Sequence, residues 1–398
     1  MRVLHRLLAP GVIGSLAVPN RIVRSATCEG MAGAGGEVTQ ELTDFHRRLA
    51  AGGVGLALIG HAYVHPRGQA TPNQTGIHND GLISGLSHLV DEVRAEGGRL
   101  FAQLAHAGSQ TKMQRFTPLA PSAVPNALTG RMPDEATEGE IEEAVDAFGQ
   151  AARRAREAGF DGVEIHGANG YLISEFCSPC ANVRNDRWGG DAERRSAFVK
   201  AVYAAVRQAV GDGFPVALKL GMVDMVAHGV RQEESAERAA SLAALGLDAV
   251  EVSCGVMVSG ADSCHTYVAV DGRRAFSDLL FHRVFSAPSE EAYFAGWVGA
   301  VRERAPGLTV LLVGGMRSPL AMERLLEQGV CDFVCLGRPL VREPDLAAQI
   351  EQGRVSTADC TSCNICLAHD GYGSLRCWRK PRTGLARHAA LRATARLH

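Results

Sequence analysis

The chain has 398 residues, 46% of them apolar and 21% charged, with a formal net charge of -2, which is enough for one large domain or two smaller ones. This charge balance argues against a general nucleic-acid binder, because no excess of cationic side chains is available to neutralise phosphates. No stretch approaches the roughly 18 consecutive apolar residues of a membrane span, and Pro10, Gly11 and Gly14 interrupt the signal-like apolar run near the N-terminus. We therefore expect a cytoplasmic protein with no membrane or nucleic-acid partner.

Short apolar, β-branched runs alternate with helical patterns along most of the chain. The candidate strands are residues 21–26, 54–60, 99–104, 161–166, 215–220, 247–253, 308–314 and 331–337. Eight strands alternating with helices predict an α/β fold, a (βα)8 TIM barrel. An open Rossmann-type sheet is the alternative, but no G-x-G-x-x-G follows the first strand. We expect the barrel over residues 1–355 and a short cysteine-containing extension with a basic tail over residues 356–398.

The clearest helix pattern lies between the third and fourth strands. Thr137 and Glu140 have the spacing of a capping box, and Ile141 and Phe148 belong to an apolar stripe with helical spacing. Gly159 follows and predicts the end of the helix. The strand after it, DGVEIH, becomes polar at its end.

In a barrel, reactive groups gather where strands end, so the polar residues there are the candidate site. These residues are Thr27, Cys28, His61, Gln103, His106, His166, Asn169, Tyr171, Lys219, Cys254, Gly315, Gly337 and Arg338. The last two strands end in VGGMRS and LGRPL. Glycine lets backbone N–H groups approach an anion, and Arg338 adds a cation, which favours a phosphorylated ligand. Ordinary tight turns are the alternative.

The segment HGANGYL carries the most chemistry. His166 and Asn169 can both donate hydrogen bonds to one oxygen, and Tyr171 is a weak acid that can deliver a proton. Such a group suits a reaction in which negative charge develops on a carbonyl oxygen, as in an enolate. A structural histidine at a strand end is the alternative for His166.

Several segments together resemble the Old Yellow Enzyme family of FMN-dependent oxidoreductases. They are NRIVRSATCEGMA (20–32), QLAHAG (103–108), VEIHGANGYLISEFCSPCANVRNDRWGGDAERR (163–195), LKLG (218–221), VGGM (313–316) and LGRPLVREPD (336–345). The resemblance covers essentially the whole barrel. It implies an eight-stranded βα barrel that holds FMN at the carboxyl ends of its strands.

The resemblance also implies the residues that contact FMN. Ala26, Thr27 and Cys28 would line one edge of the flavin, with a small core residue as the alternative reading of Cys28. Gln103 would pair with the pyrimidine ring, and His61 would make a backbone contact. Lys219 occupies the position of a cation, usually arginine, near flavin N1 and O2. Gly315, Met316, Gly337 and Arg338 would bind the phosphate.

By the same resemblance, NAD(P)H would pass hydride to flavin N5, which would return it to the β-carbon of an α,β-unsaturated carbonyl compound. His166 and Asn169 would hold the carbonyl oxygen, and Tyr171 would protonate the α-carbon. These expectations describe an NAD(P)H:flavin oxidoreductase of the ene-reductase type, which could be a homo-oligomer.

Beyond the barrel, Cys360, Cys363 and Cys366 have C-x2-C-x2-C spacing, and Cys377 follows after ten residues. The pattern resembles the iron–sulfur segment of the family branch that includes trimethylamine dehydrogenase and 2,4-dienoyl-CoA reductase, which implies a [4Fe-4S] cluster. Four thiolates also suit zinc, and free thiols are a third alternative. A cluster on a short extension would need an external electron-transfer partner, or it would have only a structural role. It also leaves open an amine dehydrogenase, a desaturase, or a flavin electron-transfer component without substrate chemistry.

Overall fold

The computed structural model describes residues 4–126, 128–256, 291–367 and 373–380. Its strands are β1 (Gly11–Ile13), β2 (Leu16–Val18), β3 (Ile22–Arg24), β4 (Leu56–Tyr63), β5 (Leu100–Ala105), β6 (Leu119–Ala120), β7 (Asp134–Glu135), β8 (Gly162–Gly167), β9 (Val216–Gly221), β10 (Ala249–Ser253), β11 (Thr309–Val313) and β12 (Phe333–Leu336). Eight of them close into one barrel in the order β3-β4-β5-β8-β9-β10-β11-β12, with β12 pairing back to β3. All neighbouring barrel strands are parallel, which confirms the predicted (βα)8 fold and its eight strands.

Helices follow most of the barrel strands. The α-helices in the described residues are α1 (Gln40–Ala51), α2 (Ile83–Ala95), α3 (Glu138–Glu157), α4 (Leu172–Cys177), α5 (Ala192–Arg195), α6 (Ala197–Val210), α7 (Gln232–Ala244), α8 (Ala295–Arg304), α9 (Pro319–Glu327), α10 (Arg338–Arg342) and α11 (Leu346–Glu351). Single 3-10 turns cover Pro66–Gly68, Asp80–Leu82, Gly108–Gln110 and Ile365–Leu367. No helix in the described ranges is long and apolar enough to cross a bilayer.

The predicted capping box begins α3. Thr137 Oγ1 accepts a hydrogen bond from the Glu140 N–H at 3.3 Å, and Glu140 Oε2 accepts one from the Thr137 N–H at 2.9 Å. The two bonds satisfy backbone N–H groups that have no partner inside the helix. Ile141 and Phe148 are buried, and the helix packs against α6.

The N-terminal hairpin β1-β2 closes the bottom of the barrel. Ile13 and Val18 are buried in one apolar cluster with Phe101 and Phe333, which point into the barrel from early positions in β5 and β12. A Cβ on Gly11 would lie 2.5 Å from the Phe333 ring, so this close approach requires glycine. Because the hairpin covers the end of the barrel where the strands begin, the carboxyl ends of the strands are left for the site.

The cysteine-containing extension packs directly on the barrel. Ala358 and Leu375 are buried in the same apolar core as the barrel helices. The Leu375 N–H donates to the Glu29 carbonyl at 2.7 Å, and the Ala358 N–H donates to the Arg317 carbonyl at 3.0 Å. The described part of the extension therefore covers the loops that follow β3 and β11.

Candidate active site

A cavity of about 680 Å³, part of it open to solvent, lies at the carboxyl ends of the barrel strands. Eight of the predicted cofactor and catalytic residues line it: Ala26, Thr27, Asn169, Lys219, Gly315, Met316, Gly337 and Arg338. The sequence analysis did not single out further lining residues, which include Ser25, Ser253, Tyr293, Phe294 and Ser362. Ser25 and Ser253 are polar residues at strand ends, a signal that was available in the sequence. Ser362 comes from the extension, and no local pattern predicts its position.

The remaining predicted residues, Cys28, His61, Gln103, His166 and Tyr171, are not among the described lining residues of this cavity. Cys28 is half-buried in the loop after β3, where its Sγ lies 3.8 Å from Thr71 Oγ1. Gln103 is buried on β5 and donates from Nε2 to Glu164 Oε2 at 2.5 Å. The other three side chains form a separate group beside the cavity.

Glycines shape the wall of the cavity after β11 and β12. Gly314 and Gly315 both have positive φ, 148° and 72°. Side chains rarely adopt such angles, so the backbone here has a path that glycine permits. At Gly337 an added Cβ would meet Thr27 Cγ2 at 3.3 Å. At Gly315 and Gly337 the absence of a side chain exposes backbone to the cavity, which suits close approach of an anion to N–H groups.

Lys219 supplies a buried cation to the cavity. Its Nζ lies 2.6 Å from Glu251 Oε1 and donates to Ser25 Oγ at 3.0 Å. Burial lowers the pKa of this ammonium, but its ion pair with Glu251 outweighs that effect and raises the pKa above its ordinary value. Lys219 is therefore charged, and Glu251 partly neutralises it from below.

Glu164 is the second buried carboxyl under the cavity. Burial, followed by the negative charge of Glu251, raises its pKa well above the ordinary value. Glu164 Oε1 and Glu251 Oε2 are buried, and neither has a hydrogen-bond donor among the described residues. Glu164 is therefore protonated beside the ion pair of Glu251 and Lys219.

His166 and Asn169 lie at the end of β8. Burial, then the neighbouring His61 and the charge of Lys219, lower the pKa of His166 well below its ordinary value, so the ring is neutral. Its Nδ1 is buried without a hydrogen-bond partner in the described residues. Asn169 has a left-handed backbone, φ 58°, and its Oδ1 accepts from Ser253 Oγ at 3.2 Å and Cys254 Sγ at 3.3 Å. These two contacts orient the amide, so that its NH2 group can donate to a ligand.

Tyr171 lies next to this pair, at the start of α4. Its ring centroid is 4.7 Å from that of His166 and 5.1 Å from that of His61. The Tyr171 hydroxyl is 3.2 Å from His61 Nε2. His106 is buried, and its carbonyl accepts from the Leu172 N–H at 3.0 Å. The fold thus brings a histidine, an amide and a phenol to one edge of the cavity. Tyr267, which follows β10 in the sequence, lies outside the described residues.

The four cysteines of the extension line a second cavity of about 320 Å³, part of it open to solvent. Ser362 and Asn364 have left-handed backbones, φ 56° and 61°, and bend the chain between Cys360 and Cys366. Arg342 donates from Nη1 to Cys377 Sγ at 3.4 Å. Arg338 lines both cavities, and its guanidinium donates to Asn364 Oδ1. Within the described ranges, no group of three or more histidines, cysteines or acids is arranged to hold a single metal ion.

The first cavity fits FMN by the chemistry of its walls. The glycines after β11 and β12 suit a phosphate, and the buried ammonium of Lys219 suits an electron-rich ring edge. At the end of β8, the buried Nδ1 of His166 has no partner in the described residues, and the oriented amide of Asn169 lines the cavity. The second cavity is lined by four cysteine sulfurs, the donor set that an iron–sulfur cluster or a zinc ion would use.

Comparison with known proteins agrees with this geometry. The chain is 33% identical over 376 residues to the NADH oxidase of Thermoanaerobacter brockii, a match that covers 93% of this chain and 54% of that protein. A solved complex of 2-naphthoyl-CoA reductase superposes with a TM-score of 0.84 at 25% identity, covering 96% of this chain and 58% of the other. The histamine dehydrogenase of Rhizobium sp. 4-9 superposes with a TM-score of 0.79 at 26% identity, covering 96% and 53%. The chain spans about half the length of each of these three proteins.

The signature of one family covers nearly all of the barrel. It matches residues 6–357, from the segment before the N-terminal hairpin to the beginning of the extension. The matched range contains every residue predicted to contact FMN or substrate. The chain therefore belongs to the NADH:flavin oxidoreductase / NADH oxidase family.

Proposed function

We propose that the protein uses FMN and NAD(P)H to reduce a carbon–carbon double bond conjugated to a carbonyl group. The observation that carries this proposal is the group formed by neutral His166, oriented Asn169 and Tyr171 at the end of β8. Two donors and a weak acid match the needs of a carbonyl oxygen that gains negative charge while a neighbouring carbon gains a proton. The likeness to 2-naphthoyl-CoA reductase, whose named substrate is a conjugated thioester, supports the same class.

In this proposal the residues of the chain bind and polarise the substrate. Neutral His166 and the Asn169 amide donate to the carbonyl oxygen and stabilise the charge that develops on it. The glycine-rich wall and Lys219 would hold FMN, which would supply the hydride that the β-carbon gains, with NAD(P)H as the source. Tyr171 delivers its proton to the α-carbon, so the substrate gains one hydride and one proton in total.

The test is an anaerobic experiment in two halves on the FMN-loaded protein. NADPH or NADH reduces the flavin, and cyclohexenone then reoxidises it. We expect Tyr171→Phe to slow reoxidation about a hundredfold, since general acid catalysis contributes a factor of that order, while flavin reduction stays within a fewfold. Tyr203→Phe is the matched control, because Tyr203 lies on α6 and its hydroxyl contacts the Leu245 carbonyl. Wild-type flavin that reoxidises no faster than in buffer would rule out the proposed reaction.

Amine oxidation is a second candidate, and the shared position of Arg338 favours it. This residue lines both the flavin cavity and the cysteine cavity, so the two spaces are adjacent. Such adjacency suits the passage of electrons outward, and histamine dehydrogenase is one of the similar structures. Anaerobic addition of histamine distinguishes the candidates, because an amine oxidase loses its flavin absorbance without NAD(P)H.

We further propose that Cys360, Cys363, Cys366 and Cys377 hold an iron–sulfur cluster, which exchanges electrons with an external partner protein. The four sulfurs around one space support this assignment. Iron and acid-labile sulfide assays on protein purified without oxygen test it. About four irons per chain are expected, and a stoichiometric zinc content with no iron would contradict it. Sedimentation of the same sample tests whether the protein is a homo-oligomer.

A further inference from the structure

His61 lies where β4 passes beside the catalytic group. Its ring is buried, and its Nε2 is 3.2 Å from the Tyr171 hydroxyl. The two rings meet edge to face, with an interplanar angle of 88°. His61 is thus placed to exchange a hydrogen bond with Tyr171, and the direction of that bond depends on which ring nitrogen carries the proton.

Gln74 determines that tautomer. Its Oε1 accepts a hydrogen bond from the Ala70 N–H at 2.6 Å, which fixes the orientation of the amide. Its Nε2 then faces His61, at 2.7 Å from the His61 carbonyl and 2.6 Å from Nδ1. The His61 carbonyl oxygen can only accept a hydrogen bond, so the Gln74 atom in contact with it is the NH2 nitrogen. The same nitrogen is the donor that faces Nδ1. Nδ1 therefore accepts, and the neutral ring carries its proton on Nε2.

With this tautomer, the Nε2–H of His61 points at the oxygen of Tyr171. We propose that His61, fixed by Gln74, is a positioning residue that donates to the Tyr171 oxygen and so directs the phenolic hydrogen toward the substrate. The inference rests on the proposed function, in which Tyr171 is the proton donor. When the Tyr171 O–H bond breaks and a C–H bond forms at the α-carbon, the negative charge left on the phenolate oxygen lies next to the His61 N–H. A proton from solvent then restores the phenol.

The surrounding groups are compatible with this arrangement. His166 on β8 faces both rings, with its centroid 6.0 Å from that of His61, and Lys219 on β9 lies behind it in register. Glu175 on α4 is turned toward Ser109, and His106 after β5 contacts this region through its backbone carbonyl. A proton on His61 Nδ1 would oppose the Gln74 donor, so the contacts of Gln74 favour the proton on Nε2.

The kinetic test uses the two anaerobic half-reactions of the FMN-loaded full chain. We expect His61→Ala to slow reoxidation by cyclohexenone about tenfold, as expected for one lost hydrogen bond to a reacting group, and to leave reduction by NADPH unchanged. The alkaline fall of the reoxidation rate should move to higher pH, because the phenolate has lost a donor. His61→Gln should restore most of the rate, since its amide places a donor near the position of Nε2. His88→Gln on the exposed face of α2 is the matched control.

The double variant separates positioning from general damage. If His61 acts through Tyr171, adding His61→Ala to Tyr171→Phe should cause no further loss, whereas a structural effect would multiply. Histidine 15N NMR, with the His61 signals assigned by their absence in His61→Gln, should show the proton on Nε2. A proton on Nδ1, or losses that multiply, would overturn the inference. If wild-type flavin is not reoxidised by cyclohexenone, the proposed function fails instead, and the NMR result still decides the tautomer.

Discussion

Beneath the cavity, one ammonium and two carboxyl groups are buried together. Lys219, Glu251 and Glu164 come from β9, β10 and β8, and their net charge sets the electrostatic field at the cavity floor. The raised pKa of Glu164 keeps one of the carboxyls protonated while Glu251 pairs with Lys219. Lys219 thus stands where the Old Yellow Enzyme family usually has an arginine, and Glu251 is its counter-charge.

The proton on Glu164 gives a prediction about charge compensation. In Glu251→Gln, Glu164 loses its negative neighbour and should ionise in its place, so the flavin midpoint potential should stay close to that of wild type. In Glu164→Gln little should change, because that carboxyl is already neutral. In the double variant Lys219 is left unpaired, and the potential should rise while stability falls by about 3–5 kcal/mol.

Spectroelectrochemical titration and thermal unfolding measure these two quantities. If Glu251→Gln alone shifted the flavin potential as far as the double variant does, Glu164 would not be ionising in place of Glu251, and the prediction would be wrong. Leu326→Met, a conservative change at a buried position of α9, serves as the control for general effects of core substitution.

Sequence reasoning found Lys219 but missed its partners. Both glutamates stand inside apolar strands, in VEIH and VEVS. A charged residue at a buried strand position was a usable signal, because such groups are buried only when they are paired. Which cation they pair with follows from the neighbouring positions of β8, β9 and β10, which the sequence does not give directly.

At the scale of elements, α4 determines where Tyr171 lies. Tyr171 precedes the first residue of this helix, and Glu175 within the helix is buried against Ser109, whose N–H donates to it at 3.1 Å. Burial raises the pKa of Glu175 to about 8, despite the hydrogen bonds from Ser109 that lower it. The carboxyl therefore anchors α4 mainly in its protonated form.

Glu175→Gln tests this anchor through the pH dependence of stability. The folded-state pKa of about 8 lies above the ordinary 4.5, so the stability contributed by the protonated form is complete below pH 4.5 and is lost as the pH rises toward 8. Glutamine stays neutral, so the variant should lose less stability than wild type over that interval. Thermal unfolding at several pH values measures the difference, with the exposed Glu351→Gln as control. Parallel curves for wild type and Glu175→Gln would contradict the prediction.

At the scale of the whole molecule, barrel and extension form one packed unit in the described residues. Leu375 joins the barrel core, Ser362 lines the flavin cavity, and Asn364 contacts Arg338. The sequence predicted a boundary near residue 355, and that division remains a prediction. The contacts across it show that the extension contributes to the walls of the site.

Removal of residues 356–398 should therefore weaken the barrel itself. Loss of buried Leu375 alone should cost about 3 kcal/mol, and loss of Ser362 should open one side of the cavity. We expect a lower melting temperature and weaker FMN binding, measured by thermal unfolding and flavin fluorescence. A chain that lacks only residues 381–398 is the matched control, because it keeps every described contact of the extension. Equal melting and equal FMN affinity in the shorter chain would show an independent barrel.

The sequence alone determined the eight strands, the capped helix α3, and the group of His166, Asn169 and Tyr171. These features depend on local periodicity, on capping chemistry and on residues that are close in the chain, so they are readable without a fold. The N-terminal hairpin was not predicted, because its strands are short and its packing partners Phe101 and Phe333 lie far away in the sequence.

Only the tertiary structure decided which distant groups meet. His61 and Tyr171 are 110 positions apart, and Lys219 and Ser25 are separated by 194. Closing the barrel fixes the register of neighbouring strands, and that register sets which side chains share a layer and which strand ends share a cavity. The sequence therefore supplied the reacting groups, while barrel closure brought Tyr171 to His61 and Lys219 to its counter-charge Glu251.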